Sequence, residues 1–360
     1  MTPARPDTRP LTLGLVFETF DTYPVRPGDP SDAHAEYEPM ETVELLEAAA
    51  AGLGHRSVRL GSPLDVLAAA GEGRLPAVDA AWNIAEGFGS RNREAWAPGL
   101  LEMTGIPCLG SDALSLSLSL DKAWANAWAQ AGGLVVAPQS VIAAPSEALE
   151  GDLPAPFPLF VKPRWEGTSK GIRSTSRVED RAALAAEVAR IVDDYRQPAL
   201  VEAFLPGAEY TVTVVGHAPP RALPVLQRAL ESASRIGLHA LEGAEPGGPP
   251  GGFDFCLPGN LGAQLEGQLQ ALALQAFARF ECLDFARVDF RLDAKGEPHF
   301  LEINPLPTFA PEGSFGILAE LEGRSPAALL SDVLASALAR LELAQAEGGA
   351  HADAARTRRG

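Results

Sequence analysis

A lysine at the end of a predicted strand is followed by a loop of small, hydroxyl-bearing residues. The strand covers residues 159–162 and ends in Lys162. Backbone N–H groups and hydroxyls in such a loop donate to phosphate oxygens, while the lysine supplies a positive charge. On its own, the segment is equally compatible with an ordinary surface turn. The loop residues of interest are Glu166, Gly167, Thr168 and Ser169.

Two later segments carry side chains suited to a metal ion. Residues 286–292 and 300–304 have the pattern of short strands and are joined by the turn residues 293–296. A period of two places Arg287 with Asp289 on one face, and Glu302 with Asn304 on one face. The strand pair can thus bring Asp289, Glu302 and Asn304 to one point, with the oxygen ligands that magnesium prefers. The alternative is a cross-strand network of exposed polar residues.

A third segment offers a place for a nucleoside. A strand at 200–204 contains Glu202, runs out into Phe204 and Leu205, and turns at Pro206-Gly207 before Glu209. Backbone groups along an exposed strand end can pair with the edge of an adenine, and Glu209 is spaced to accept hydrogen bonds from ribose hydroxyls. Both glutamates are also compatible with solvated surface charges.

The elements around these residues predict two kinds of sheet. Near the start, strands at 11–17, 57–60 and 80–84 alternate with helices, which is typical of a parallel α/β sheet. Further on, residues 209–216 and 286–292 alternate with period two and predict antiparallel strands. The fold class is therefore α/β, with an α+β C-terminal part. The last residues, 346–360, are predicted to be a disordered tail.

Composition excludes several classes of protein. The 29 basic and 47 acidic residues give a net charge of −18, which disfavours binding to nucleic acid. The three cysteines are an odd number without a C-x-x-C pair, so they favour a reducing compartment and offer no zinc framework. The start lacks the apolar core of a secretion signal, and no apolar run approaches the roughly 20 residues needed to cross a bilayer. We expect a cytoplasmic protein without membrane contacts.

In this order and spacing the motifs resemble the ATP-grasp superfamily, and within it the D-alanine–D-alanine ligase group of carboxylate–amine ligases. Residues 105–111 and 120–122 carry further parts of that family's pattern. The resemblance implies an N-terminal α/β domain at 11–118, a central lid subdomain at 119–205 and a C-terminal antiparallel-sheet subdomain at 206–345. It also implies a homodimer, with ATP held between the lid and the C-terminal subdomain.

The resemblance assigns roles to individual residues. Arg287 would steady the acyl phosphate, and Ser314 matches the serine that binds a substrate carboxylate, although its spacing differs. Two magnesium ions would be bound by Asp289, Glu302 and Asn304. Phosphates would be contacted by Lys122, by Lys162 and by the loop of Glu166, Gly167, Thr168 and Ser169. Adenosine would be held by Glu202, Phe204, Leu205 and Glu209.

The chain departs from the family on the amino-acid side of the site. In place of the glycine-rich loop with its substrate-binding glutamate, it has a segment around Glu18, and Glu36 or Glu38 is the candidate substitute. Glu86 occupies the place of a family histidine and favours a cationic group. The tyrosine- and lysine-bearing substrate loop is replaced by a segment with Arg235 and His239.

These departures indicate retained phosphoryl chemistry with changed substrates. The sequence predicts an ATP-dependent ligase that joins amino-acid-like or peptide substrates through an acyl phosphate. A true D-alanine–D-alanine ligase and a non-catalytic ATP-binding protein are the alternatives. The intact set of Arg287, Asp289, Glu302 and Asn304 argues against the non-catalytic alternative, because a pure binder has no evident need for both the arginine and the metal ligands.

Overall fold

The structure is a computed structural model that describes residues 9–230, 234–237, 256–258 and 261–357, with side chains for all of these except 256–258 and 342–357. His239 and the Gly- and Pro-rich segment 243–252, for which the sequence predicts a loop, lie outside the described residues. No helix in the described part of the chain combines the length and the apolar character needed to cross a membrane.

The first sheet is parallel and has the strand order β2-β1-β3-β4. Its central strand is buried because Leu13, Leu15 and Val16 form an apolar run with helices packed beside it. This confirms the parallel α/β pattern predicted for the N-terminal part. The strands are β1 (Thr12–Val16), β2 (Arg56–Gly61), β3 (Ala80–Asn83) and β4 (Cys108–Leu109), and the helices are α1 (Met40–Gly52), α2 (Pro63–Gly71), α3 (Trp96–Thr104) and α4 (Ala113–Leu120).

The second sheet is antiparallel, with the order β5-β8-β6-β7. Helix α7 covers it with Leu184, Val188 and Ile191, which recur at helical spacing and are fully buried. The sheet places Lys162 and Glu202 on neighbouring strands. The elements are helix α5 (Lys122–Ala131), strand β5 (Gln139–Ile142), helix α6 (Pro145–Glu150), strands β6 (Leu159–Pro163) and β7 (Arg177–Val178), helix α7 (Arg181–Tyr195) and strand β8 (Ala199–Ala203).

The third sheet is antiparallel and has the order β12-β11-β9-β13-β14, with β10 also paired to β9. Its core face is covered by α8 and by α5, so α5 packs on this sheet although it precedes the second sheet in sequence. The predicted antiparallel strands are confirmed. They are β9 (Glu209–Val215), β10 (Arg221–Ala222), β11 (Leu226–Arg228), β12 (Cys256–Pro258), β13 (Phe285–Leu292) and β14 (Pro298–Asn304), accompanied by helix α8 (Ala263–Arg279).

The last two helices, α9 (Ser314–Leu321) and α10 (Pro326–Thr357), return to the first sheet. Helix α10 packs against α1, and its Leu330 and Leu334 share one core with Leu13 and Leu46. It runs on to Thr357, so most of the segment predicted as a disordered tail is helical. The alanine-rich sequence there explains the difference, because alanine has the highest intrinsic helix propensity. The bounds 11–118, 119–205 and 206–345 stay a prediction.

A buried ion pair connects α10 to the two sheets beside it. Arg340 donates from Nε and from one terminal nitrogen to the carboxylate of Asp284, both at 2.7 Å, and donates to the Cys108 carbonyl at 3.1 Å. Asp284 also accepts from the Gly110 N–H at 2.8 Å. The Asp284 side chain is fully buried. This pair therefore joins β4, the start of β13 and the C-terminal helix.

Replacing Arg340 with leucine will destabilise the protein strongly. The change leaves Asp284 as a buried, uncompensated charge, which costs about 3–5 kcal/mol of unfolding free energy. The control is Arg324→Leu, because Arg324 pairs with Glu322 and Asp332 at the surface and such pairs contribute about 0–1 kcal/mol. Thermal melts of both variants test this. Equal melting temperatures for the two variants would contradict a structural role for the buried pair.

Candidate active site

The proposed metal ligands face each other across β13 and β14. Asp289 lies opposite Glu302, and Arg287 lies opposite Asn304. The predicted period of two places Arg287, Asp289 and Arg291 on one face of β13, because the alternate residues, such as Val288 and Phe290, are in the core. The structure thus brings together two carboxylates and one amide at this strand pair.

A β-bulge in β14 places Glu302 on that face. Phe290 pairs with Phe300, whereas Asp289 pairs with Glu302, so Leu301 is an extra residue. Without the bulge, Phe300 and Glu302 would share one face. With it, Phe300 enters the core while Glu302 joins Asp289, in keeping with the role of bulges in redirecting side chains beside functional sites.

Two lysines lie at the same site, each paired with a carboxylate. The Lys122 Nζ is 2.9 Å from Glu302 Oε2, and the Lys162 Nζ is 2.8 Å from Glu202 Oε2. Burial opposes ionisation of Glu302, but Lys122, Lys162 and Arg287 outweigh it and lower the pKa of this carboxyl well below its ordinary value. Glu302 is therefore ionised at neutral pH and available to a cation.

Lys122 is positioned by the start of α5. Asp121 caps this helix by accepting from the Trp124 N–H at 3.2 Å. The same carboxylate accepts from Arg164 Nε at 2.7 Å and from Arg91 at 3.0 Å. Arg164 lies two residues beyond Lys162, so this network holds both lysine-bearing segments at one site. None of these supporting contacts was predicted from the sequence.

Asp289 is surrounded by two arginines and a threonine. Arg287 Nε donates to it at 3.2 Å, and the Thr211 hydroxyl donates to it at 2.7 Å. Arg228 lies 3.8 Å from Asp289 Oδ2, the oxygen that Arg287 contacts, and donates to the Thr211 hydroxyl at 3.0 Å. Sequence reasoning missed Arg228 and Thr211. Thr211 is two residues after Glu209 on β9, which gives a signal that it shares the Glu209 face, whereas Arg228 ends a three-residue strand without a periodic pattern.

Three of the predicted adenosine residues, Phe204, Leu205 and Glu209, lie at the start of β9 and in the loop before it, whereas Glu202 lies on β8. Glu209 is buried and pairs with Arg291 at 3.2 Å. Burial, only partly offset by Arg291 and Arg228, raises the pKa of Glu209. The Arg177 guanidinium lies over the Phe204 ring, 4.6 Å from the ring centroid. The next residue in the sequence, Leu205, is buried. The Arg291 guanidinium also lies 5.3 Å from the centroid of the Phe204 ring, so an aromatic ring, two arginines and the Glu209 carboxylate are neighbours here.

The predicted phosphate loop has a strained turn at its centre. Thr168 and Ser169 have φ values of +45° and +56°, which lie in the left-handed region that residues with a Cβ rarely adopt. Glu166 accepts from Gln197 Nε2 at 2.6 Å and pairs with Lys170 Nζ at 2.6 Å. Strain of this kind persists only where the surroundings fix it, and it occurs mainly at functional sites.

Those surroundings include the N-terminal segment. Glu36 accepts from the Gly167 N–H at 2.5 Å and pairs with Lys170 at 3.0 Å and with Arg93 at 2.6 Å. Burial opposes ionisation of Glu36, but Arg93 and Lys170 outweigh it and lower its pKa to about 2. Sequence reasoning assigned no role to Lys170, which follows Glu166 by four residues in a turn and not on a helix.

The predicted substrate residues have different surroundings. Glu86 lies beside Glu94 and Glu36. Its removal from water, and in second place the negative charges of these two carboxylates, raise its pKa well above the ordinary value. The Ser314 hydroxyl, at the start of α9, is buried without a hydrogen-bond partner in the described residues. The Arg235 Nε donates to the Pro206 carbonyl at 3.4 Å, which places Arg235 beside the loop that precedes β9.

The Glu38 carboxylate is held by hydrogen bonds from the protein itself. Its Oε2 accepts from the Thr42 hydroxyl at 2.8 Å, and it also bonds the Thr308 side chain and the Phe309 backbone N–H. It therefore connects the start of α1 to the segment after β14. Burial raises its pKa from 4.5 to about 7 in spite of these donors. As a substrate ligand it stays a prediction.

Glu38→Gln will flatten the pH dependence of stability. Below pH 4.5 the Glu38 carboxyl is neutral in both the folded and the unfolded protein. Between pH 4.5 and about pH 7 it ionises in the unfolded protein first, so the free energy of unfolding falls by up to about 3 kcal/mol. Glutamine is neutral throughout and lacks this loss. Urea unfolding from pH 4.5 to 8 measures the difference, with exposed Glu41→Gln as control. Glu86 and Glu94 are nearby carboxyls whose pKa values are also raised, and they titrate in both proteins. Parallel curves would contradict the assignment.

Comparisons with known proteins agree with this geometry. A family model described as "D-ala D-ala ligase C-terminus" matches residues 143–335, more than half of the 360-residue chain. An uncharacterized protein y4sG of Sinorhizobium fredii is 31% identical over 254 residues, which cover 70% of this chain and 73% of that protein. A D-alanine–D-alanine ligase of Albidiferax ferrireducens is 30% identical over 264 residues, 70% of each chain.

Solved structures share the whole fold. The D-alanine–D-alanine ligase from Bacillus anthracis, solved in complex with ATP, has a TM-score of 0.68 at 19% identity and covers 93% of this chain and 99% of its own. The VanG D-Ala:D-Ser ligase from Enterococcus faecalis has a TM-score of 0.64 at 19% identity, with coverage of 91% and 100%. The predicted ATP-grasp fold is confirmed. The chain therefore belongs to the D-alanine–D-alanine ligase family, and it is an ATP-dependent carboxylate–amine ligase of the ATP-grasp type.

Proposed function

We propose that this ligase activates the carboxylate of an amino-acid-like substrate as an acyl phosphate and transfers the acyl group to the amine of a second substrate. The observation that carries the proposal is that the buried side chains of Lys122 and Arg287 both lie at Glu302, at 2.9 and 3.9 Å, with Asp289 directly opposite on β13. Such an array offsets the charge on a phosphoryl group in transfer. In the proposed assignment Lys122 and Lys162 contact the phosphates.

The residues present fit magnesium by donor chemistry. Asp289, Glu302 and Asn304 offer two carboxylates and an amide, which are hard oxygen ligands. No group of three His, Cys, Asp or Glu side chains in the described residues is arranged to hold a metal ion, and the proposed set has two such side chains and the Asn304 amide. When bound, magnesium neutralises charge on the phosphates and orients them for in-line attack. In the proposed roles, these three residues hold it and adenosine lies on Glu202, Phe204, Leu205 and Glu209.

The chain's own residues account for the second half of the reaction. In our proposal, the Arg287 guanidinium stabilises the negative charge that develops on the acyl phosphate and on the tetrahedral intermediate. The proposed role of Ser314 is to bind a substrate carboxylate, because its buried hydroxyl has no hydrogen-bond partner among the described residues. The loop of Glu166, Gly167, Thr168 and Ser169 excludes water, which would otherwise hydrolyse the acyl phosphate.

The two substrates differ, in our proposal, from those of the named relatives. The support is the group of carboxylates around Glu86, which suits a cationic group of a substrate better than the methyl side chain of alanine. Arg235 and His239 stay predictions for the substrate loop. The alternative, a D-alanine–D-alanine ligase in the strict sense, is favoured by the names of the relatives.

The proposal extends to the location and the partners of the protein. A cytoplasmic location agrees with the free thiols of Cys108 and Cys282, since such thiols persist in a reducing compartment. The proposed partners are small molecules and a second copy of the chain, without nucleic acid or membrane. The homodimer rests on family resemblance.

Phosphate release from ATP and magnesium, measured across single and paired D- and L-amino acids and short peptides, tests the proposal. Mass spectrometry identifies the amide. Release with a pair other than D-alanine supports changed substrates, while D-alanine alone giving D-alanyl-D-alanine establishes the alternative. ATP binding without release for any pair would favour the non-catalytic protein.

A further inference from the structure

The phosphate loop, residues 166–171, is held by carboxylates that come from outside its own sheet. The Gly167 N–H donates to Glu36 Oε1 at 2.5 Å, and the Gly171 N–H donates to Asp32 Oδ2 at 2.8 Å. Both acceptors belong to the segment 32–36, which precedes α1 and the first sheet's second strand. Each end of the loop is therefore bonded through its backbone to the N-terminal part of the chain.

Buried ion pairs reinforce the Glu36 end. Lys170 Nζ lies 3.0 Å from Glu36 and 2.6 Å from Glu166, and Arg93 lies 2.6 Å from Glu36. The Glu36 and Arg93 side chains are 3% and 4% exposed. Arg93 also donates to the Trp165 carbonyl at 2.8 Å. Because pairs shielded from water are screened little by salt, these contacts fix the loop more firmly than surface pairs would.

The Asp32 end has its own support. The Tyr195 hydroxyl, at the end of α7, lies 2.7 and 2.8 Å from the two Asp32 oxygens. Arg190, on the same helix, donates to the Gly171 carbonyl at 2.6 Å. This end of the loop is thus held by the N-terminal segment and by helix α7 together. The left-handed turn at Thr168 and Ser169 lies between the two fixed ends.

We propose that Glu36 and Asp32 are positioning residues that hold the phosphate loop closed from the N-terminal part of the chain, so that the part carrying Glu86 controls closure over ATP. This rests on the proposed function. A loop released from Glu36 admits water to the acyl phosphate. Hydrolysis then competes with attack by the amine, and phosphate is released without amide formation.

Hydrogen exchange tests the proposal without any need for turnover. In Glu36→Gln, the charge that pairs with Lys170 and Arg93 is removed while one oxygen acceptor is kept. We expect the Gly167 amide to exchange at least about tenfold faster than in the unmodified protein. The matched control is Glu41→Gln, an exposed carboxylate on the first turn of α1. Asp32→Asn will accelerate exchange at Gly171 in the same way and serves if Glu36→Gln does not fold.

Unchanged exchange at Gly167 and Gly171 in folded variants would overturn the proposal. A second readout is the ratio of phosphate released to amide formed, once a substrate pair is known. It rises in Glu36→Gln and stays near one in Glu41→Gln, whereas a merely structural loss of active protein leaves the ratio unchanged. If no pair is turned over, the proposed function fails, and the exchange measurement still decides the role of Glu36.

Discussion

Replacing Arg287 with alanine will lower kcat by about 10²–10³-fold while leaving the KM for ATP nearly unchanged. The guanidinium lies 3.1 Å from Asp289 and 3.9 Å from Glu302, beside the carboxylates proposed to hold magnesium. Its proposed partner is charge that exists only during the reaction, so its loss reduces stabilisation of the transition state and not of bound ATP. Steady-state kinetics with ATP as the varied substrate measures both constants.

Arg287→Lys is the matched control for this prediction. Lysine keeps the positive charge beside Asp289 but loses the planar fork that contacts two oxygens at once, so activity will be restored only in part. The fold tolerates both changes, because Asp289 keeps its bond from Thr211 and Glu302 keeps its pair with Lys122. A rise in the KM for ATP that equals the fall in kcat/KM would show instead that Arg287 serves nucleotide binding.

Glu302→Gln will reduce the rate by about 10²-fold and shift its magnesium dependence to higher concentration. Glutamine has nearly the same shape but carries no charge for the metal, and it weakens the contact with Lys122 at 2.9 Å. The ionised state of Glu302 is the form that a cation needs, and its neighbours lower its pKa to keep it so. Rates measured over a magnesium titration at saturating ATP give the shift.

Glu297→Gln is a suitable control, because Glu297 is exposed in the turn that joins β13 and β14. It changes the same charge on the same hairpin without touching the site. Identical magnesium midpoints for Glu302→Gln and the unmodified protein would remove Glu302 from the metal site. If calorimetry shows that Glu302→Gln no longer binds ATP while the magnesium midpoint is unchanged, the role of Glu302 is to position Lys122 and not to bind the metal.

The strand residues of the site were accessible from the sequence. Arg287 and Asp289 were predicted to share a face because alternation in a buried strand leaves no other arrangement, and the structure has them so. The grouping of Glu302 with Asp289 was also predicted, but its cause was not. It depends on the extra residue Leu301, and a bulge has no signature in the alternation of residue types.

The contacts between distant segments were not accessible. Glu36 meets Gly167 across 131 positions, and Asp32 meets Gly171 across 139. No periodicity relates such residues, since their meeting depends on how the first and second sheets are placed. Arg228 was missed because a three-residue strand is too short for a pattern. Local patterns thus predicted the elements and the strand-borne residues, while the loop partners required tertiary structure.

The return of α10 to the first sheet has a consequence for biosynthesis. Leu330 and Leu334 complete the core that contains Leu13 and Leu46, so a strand that is translated early is covered by a helix that is translated much later. The first sheet is then not an autonomous folding unit, and its apolar surface stays open until α10 has been made. Nascent chains that end before Pro326 lack this helix and are expected to engage chaperones.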